Sequence, residues 1–303
     1  MTPLDTSSGD ILADRRADYA EMLFAEGEHQ AAAGLMMDAL ERAPGWALGW
    51  FRLGEFHEAA GEVGAAAEAW RMALRIDAAD RAGAALKLAL IGAGPMPDAP
   101  PGAFVEALFD QYADRFDAAL VGKLGYRAPE LLAAAIRAAH QKSFRLARDL
   151  GCGTGLMGER LRPLAARLEG YDISAGMLAK ARARGVYDHL GRADLQAPPP
   201  ELFAPPADLV AAADVLMYIG RLDALATDAA RMLEPGGLFA FTVERHAGAE
   251  DFALRPSRRY AHSRAYLERL LAADFEAVTA AGHVIRTDRD APVEGLVVTA
   301  RRR

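Results

Sequence analysis

The chain has 303 residues, 52% hydrophobic and 25% charged, an ordinary globular balance with room for two cores. Its net charge of −7 argues against a general nucleic-acid binder, and its single cysteine excludes an internal disulfide framework and a metal cluster. Residues 1–10 are polar with no apolar h-region, and no stretch approaches the roughly 18 apolar residues of a membrane span. A cytoplasmic protein is expected, with no metal, no membrane contact and no nucleic acid partner.

Residues 1–91 read as an all-α module rich in alanine. Gly27 and Gly61 lie 34 residues apart, as do Ala32 and Ala66, Met36 and Trp70, and Ala39 and Ala73; Ala20 and Gly54 keep the same register. Small residues at repeated positions let paired helices approach, while Met36 and Trp70 fill the space between them. The second copy, from Trp50-Phe51-Arg52-Leu53-Gly54 through Ala73, resembles the tetratricopeptide-repeat pattern, and Pro44 closes the first. Two repeats are too few for an independent solenoid, so the module either packs against another element or offers a groove to a protein partner.

Residues 92–102 contain four prolines and form a linker. Residues 103–303 form the second domain. It opens with an amphipathic helix over Phe104–Leu120, rich in aromatic residues. Helices are then expected at Pro129–His140, Leu156–Leu168, Ala175–Arg184 with Ser174 as its cap, Leu222–Leu233 and Arg264–Ala272. Strands are expected at Leu146–Leu150, Leu168–Tyr171, Leu190–Ala193, Leu209–Ala213 and Leu238–Glu244, the last following a tight turn at Glu234–Gly237. The alternation argues for an α/β fold with helices on both faces of a parallel sheet. The pattern changes at the end, where His283–Thr287 and Gly295–Ala300 suit a hairpin and an antiparallel last strand.

The stretch Arg148–Gly155 is a strand end followed by a glycine loop and a helix start. Such a unit points unpaired amides at whatever lies above the loop. Asp172 ends the next strand about 20 residues on, where a carboxylate can accept both hydroxyls of a ribose. The glycines also satisfy a loose dinucleotide pattern. Asp149, two residues before the first glycine, would repel a pyrophosphate and attract a cationic amino acid group.

Here the sequence resembles the class I S-adenosylmethionine-dependent methyltransferases, whose first motif reads as Asp149-Leu150-Gly151-Cys152-Gly153-Thr154-Gly155 does. The resemblance runs from about Phe104 to Arg303. It implies a Rossmann-like sheet with an antiparallel last strand, S-adenosylmethionine as cofactor, and methyl transfer. Gly151, Cys152, Gly153 and Gly155 would form the cofactor loop, Asp172 would take the ribose and Ile173 would pack on the adenine. Asp194 would accept the adenine amino group beside the Leu195 amide, and Asp214 and Tyr218 would lie near the sulfonium. Family members acting on small molecules open with an aromatic-rich lid, so Tyr112, Phe116 and Tyr126 are candidates for cofactor contact. The phrase Leu124–Glu130 resembles a subgroup in which some members carry N-terminal tetratricopeptide repeats.

Ligands of open parallel sheets sit beyond the carboxyl ends of the strands. The long connection from Glu244 to Ser263 carries two histidines, a tyrosine and four arginines at that edge. Methyl transfer is an in-line displacement that needs alignment, and a base where the acceptor must lose a proton. His262 is the first candidate base, Tyr260 and His246 the next, and Arg259 could hold an acceptor carboxylate or phosphate. The acceptor expected is a small molecule, through O or N, or a protein recruited by the repeats. Two other readings stay open. One is a partner-binding repeat protein whose methyltransferase fold senses cofactor without turnover. The other is an NAD-linked oxidoreductase, against which Asp149 and the hairpin weigh.

Overall fold

The computed structural model describes residues 6–113, 125–288 and 291–303. The chain divides into two compact units, Met1–Ala107 and Leu108–Arg303.

The first unit is helical: α1 (Ile11–Ala25), α2 (His29–Arg42), α3 (Ala47–Ala59), α4 (Val63–Ile76) and α5 (Ala84–Leu90). Its 34-residue period is written in the hydrogen bonds. After α1, the amides of Glu26, Gly27 and Glu28 donate to the carbonyls of Met22, Phe24 and Leu23; after α3, those of Ala60, Gly61 and Glu62 donate to Phe56, Glu58 and His57. Gly27 and Gly61 take the left-handed conformation that ends such a helix, with φ of +87° and +79°. Ala32, Met36 and Ala39 are buried, and so are Ala66, Trp70 and Ala73. Residues 91–101 are neither helix nor strand, and α6 (Gly102–Tyr112) follows, with the boundary between the units inside it. The expected remainder of that helix, Phe116 included, lies outside the described residues.

The second unit is built on one mixed sheet. Its strands are β1 (Phe144–Leu150), β2 (Ala165–Asp172), β3 (His189–Arg192), β4 (Ala207–Ala212), β5 (Leu233–Arg245), β6 (Phe252–Leu254), β7 (Tyr260–His262), β8 (Phe275–Asp288) and β9 (Ala291–Arg302). β3, β2, β1, β4 and β5 pair in parallel in that order, β9 runs antiparallel to β5, and β8 pairs with β9. The helices are α7 (Ala128–Ala139), α8 (Leu156–Leu161), α9 (Ala175–Arg184), α10 (Asp223–Met232) and α11 (Arg264–Leu271). Leu132 and Ile136 of α7, and Met157 and Leu161 of α8, pack on Ala147, Leu168 and Leu209 of the sheet.

The sequence-based bounds fail at three places. The helix expected to reach Leu168 ends at Leu161, because a tight helical turn containing Pro163 follows and β2 begins at Ala165. The connection Glu244–Ser263 holds a small hairpin: β7 pairs antiparallel with β6 and parallel with the end of β5. Its three-residue strands are too short to show a hydrophobic period. Glu234–Gly237 lies within β5, where the pairing with β4 slips between Ala207 and Leu209. The final hairpin has the expected sense and is longer, with strands of 14 and 12 residues.

Candidate active site

The carboxyl ends of β1, β2, β3, β4 and β5 carry the residues singled out above. Gly151, Gly153 and Gly155 have φ of +64°, +54° and +98°, a backbone that side chains resist. A Cβ on Gly151 would also come within 2.3 Å of Val215. Within this loop, the Cys152 amide donates to the Tyr171 carbonyl at 3.0 Å, and its buried thiol is pushed well up by burial and by Asp149. No thiolate is available there.

Asp149 is fully buried. Its Oδ2 accepts the Tyr187 hydroxyl at 2.6 Å, and among the described residues its Oδ1 has no hydrogen-bond partner. Burial drives the carboxyl up to about 7, against the pull of the Tyr187 hydroxyl. Tyr187 was not foreseen. Its ring occupies the space that side chains would fill at Gly158 and Gly170, at 2.3 and 2.8 Å from their virtual Cβ atoms.

Asp172 lies next to it, at the end of β2. Its Oδ2 accepts the Gly153 amide at 2.8 Å and its Oδ1 the Ser174 amide at 2.9 Å. Burial raises the carboxyl to about 6, and these amides oppose the rise. Ser174 caps α9, accepting the Met177 amide at 3.0 Å. Asp110 of α6 accepts both the Ser174 hydroxyl and the Gly176 amide, the latter at 3.1 Å, so α6 is latched to the start of α9. That contact gave no sequence signal. Tyr112, by contrast, is 55% exposed.

Ile173 is half-buried, and its carbonyl accepts Arg192 Nε at 3.1 Å. Asp194 and Leu195 follow β3, and the Asp194 carboxylate accepts the Gln196 amide at 2.9 Å in a local turn. Tyr126 is half-buried; burial and the carboxylates of Asp214 and Asp149 push its phenol well up, against the pull of Arg286.

Asp214 follows β4 with φ of +60°, its amide donating to Thr242 Oγ1 at 2.8 Å. Arg286, on β8, bridges two strand ends. It donates to Asp214 Oδ1 at 2.6 Å and to the Glu244 carboxylate at the end of β5. Burial raises both acids while Arg286 holds them down. Arg259, the candidate for holding an acceptor carboxylate or phosphate, joins this network. It donates to the Tyr218 hydroxyl at 3.3 Å and to Asp288 at 3.4 Å, and lies 3.9 Å from Glu244. Tyr218 also meets Phe109 edge-on at 5.2 Å.

The three candidate bases sit on or beside β7. His262 is fully buried, with Nε2 2.9 Å from the Gly220 carbonyl and its ring stacked on Tyr266. Burial lowers its pKa to about 4, so the imidazole is neutral. Tyr260 is fully buried and packs edge-on against Phe252. His246 Nε2 lies 2.9 Å from Glu250 Oε2, and its Nδ1 is buried without a hydrogen-bond partner among the described residues. Among the described residues, no group of three or more His, Cys, Asp or Glu could hold a metal, and no helix is long and apolar enough to cross a membrane.

A sheet of this order, with a glycine loop after β1 and acids at the ends of β1 and β2, is the Rossmann-like arrangement of class I methyltransferases. Residues 148–239 match the model of a family described as a methyltransferase domain. Over those residues the chain is similar to that family. It is 39% identical over 127 residues to trans-aconitate 2-methyltransferase of Methylobacterium nodulans, a match covering 41% of this chain and 47% of that relative. It is 34% identical over 102 residues to malonyl-[acyl-carrier protein] O-methyltransferase of Enterobacter lignolyticus, covering 34% and 40%. The matches thus span less than half the length of these two curated relatives. Among solved structures, the [4+2]-cyclase SpnF shares the fold with a TM-score of 0.55 and 21% identity, over 69% of this chain and 98% of that one.

Proposed function

We propose that this protein transfers a methyl group from S-adenosylmethionine to a small-molecule acceptor through O or N, or to a protein brought by the helical unit. The observation that carries the reading is the buried Asp149 carboxylate, with one oxygen held by Tyr187 and the other left over behind the glycine loop. An ammonium group answers that arrangement, and a pyrophosphate does not. Asp172 lies beside the loop for the ribose, with Ile173, Asp194 and Leu195 on the adenine side. Tyr126, Asp214 and Tyr218 line the sulfonium side.

The cofactor, when bound, supplies an activated methyl group. The chain's own contribution is to orient and to exclude water. The Asp214–Arg286–Glu244 bridge fixes the ends of β4 and β5 beside the site. Where the acceptor must lose a proton, we assign that role to His246. With Nε2 donating to Glu250, its Nδ1 is the accepting nitrogen. His262 is a poorer base because burial keeps its pKa near 4.

The names of the two relatives above, an aconitate and a malonyl methyltransferase, favour a carboxylic acid acceptor. The repeated turn hydrogen bonds of the first unit support a pair of tetratricopeptide repeats, and with them a protein partner. The one cysteine, buried and unpaired, fits a cytoplasmic location.

A second reading is favoured by one finding: a protein named a cyclase shares the fold, so the fold alone does not dictate transfer. In it, the chain binds cofactor without turnover. Calorimetric titration of S-adenosylhomocysteine into wild type and Asp172→Ala, with NADH in parallel, tests both. Micromolar binding lost in the variant is expected; no binding to wild type, or preference for NADH, overturns the cofactor reading. Screening carboxylic acid acceptors for release of S-adenosylhomocysteine then separates turnover from sensing.

A further inference from the structure

Tyr187 belongs to neither the glycine motif nor a strand end. Its hydroxyl is nevertheless a hydrogen-bond partner of Asp149, and the backbone is shaped around its ring. Virtual Cβ atoms on Gly155, Gly158 and Gly170 would approach it to 3.2, 2.3 and 2.8 Å. A ring so enclosed holds its hydroxyl at one point, and that point is 2.6 Å from Asp149 Oδ2.

We propose that Tyr187 is a positioning residue: its hydroxyl orients Asp149 and favours its ionised form, ready for the ammonium group of the cofactor. The assignment rests on the cofactor reading above. The groups that face Asp149 make the case. Asp172 on β2 is a second carboxylate and favours protonation of Asp149. The Cys152 thiol in the loop and the Tyr126 phenol before α7 feel the Asp149 charge and are themselves neutral. Arg184 of α9 is spent on the Thr154 carbonyl, at 2.6 Å, and on Glu159. Among these groups, the Tyr187 hydroxyl is the donor that touches the carboxylate. Removing it raises the proton affinity of Asp149, and a protonated acid has no charge to offer a cation.

The test is binding of S-adenosylhomocysteine by the full chain as a function of pH. Tyr187→Phe keeps the ring and removes the donor. Its affinity is expected to fall about tenfold at pH 6.5 and to return within about twofold of wild type at pH 8.5. Placed on Asp149→Asn, the same change should cost nothing further. Site-specific 3-fluorotyrosine at position 187 retains both ring and hydroxyl and is a stronger donor. It should shift the wild-type pH midpoint downward. An equal loss at both pH values, a loss that adds to Asp149→Asn, or an unmoved midpoint in the fluorotyrosine protein overturns the proposal. Wild type that fails to bind at any pH overturns the cofactor reading itself and this assignment with it.

Discussion

The Gly153 amide donates to Asp172 Oδ2 at 2.8 Å, so the acid ending β2 holds the middle of the loop that follows β1. The same carboxylate accepts the Ser174 amide and so fixes the start of α9. Asp172→Ala removes both bonds together with the candidate ribose acceptor. Hydrogen bonds to charged groups contribute about 1.5–3 kcal/mol, so affinity for S-adenosylhomocysteine is expected to fall by about 10- to 100-fold. Asp172→Asn, which keeps one acceptor, should fall between. Isothermal calorimetry at constant pH checks the order.

Asp149 sets ligand binding against stability. Burial lifts its carboxyl from 3.8 to about 7, so the fold favours protonation more than the unfolded chain does. That preference stabilises fully below about pH 4 and is lost as the pH rises through about 7. Asp149→Asn cannot ionise and escapes the loss. Its stability relative to wild type should therefore increase between pH 4 and 8, by on the order of 2–4 kcal/mol. Urea unfolding of both proteins at several pH values would reveal the trend; parallel curves would refute it. The same variant should bind S-adenosylhomocysteine more weakly, because its side chain offers no charge to an ammonium group.

What could be read from sequence, and what could not, follows from range. The glycine loop was legible because positive φ at Gly151, Gly153 and Gly155 demands residues without a side chain. The helix pairs were legible because the second copy repeats the first 34 residues on, down to the amide bonds of its turn. The alternation of strands and helices placed Asp149, Asp172 and Asp214 at strand ends. Tyr187, Arg286 and Asp110 were not legible. Each acts on a partner between 38 and 72 residues away, with no period or spacing to mark the pairing. The partners of Arg259 were hidden for the same reason: Tyr218 and Asp288 are distant in sequence, and nothing local marks the contacts.

In the helical unit, Gly54 and Trp70 make a sharp test of packing. A Cβ at position 54 would lie 2.3 Å from Trp70 Nε1, the atom that donates to the Phe51 carbonyl at 3.1 Å. Gly54→Ala must displace the indole and break that bond. Helix propensity favours alanine by up to about 1 kcal/mol, while overpacking a core costs about 1–3 kcal/mol, so the net effect is destabilising. Hydrogen exchange on the full chain should show faster amides in α3 and α4, and unchanged amides in β1 and β4.

Arg286 is the last and largest of these effects. Its side chain is 1% exposed, and it bridges carboxylates that are themselves almost buried, on Asp214 and Glu244. Replacing it by Met keeps most of the volume and strands two acids in the interior. Breaking a buried pair from one side costs about 3–5 kcal/mol, because a charge left in the interior has lost its hydrogen-bonded counter-charge. Arg286→Met should therefore lower the unfolding free energy by about that amount. The loss should shrink at acid pH, where Asp214 and Glu244, both already raised by burial, take up protons. Adding Glu244→Gln to Arg286→Met should recover part of the stability at neutral pH, since one of the stranded charges is gone. Urea melts of the single and double variants at pH 5 and pH 8 distinguish this from a simple packing defect, which would show the same deficit at both.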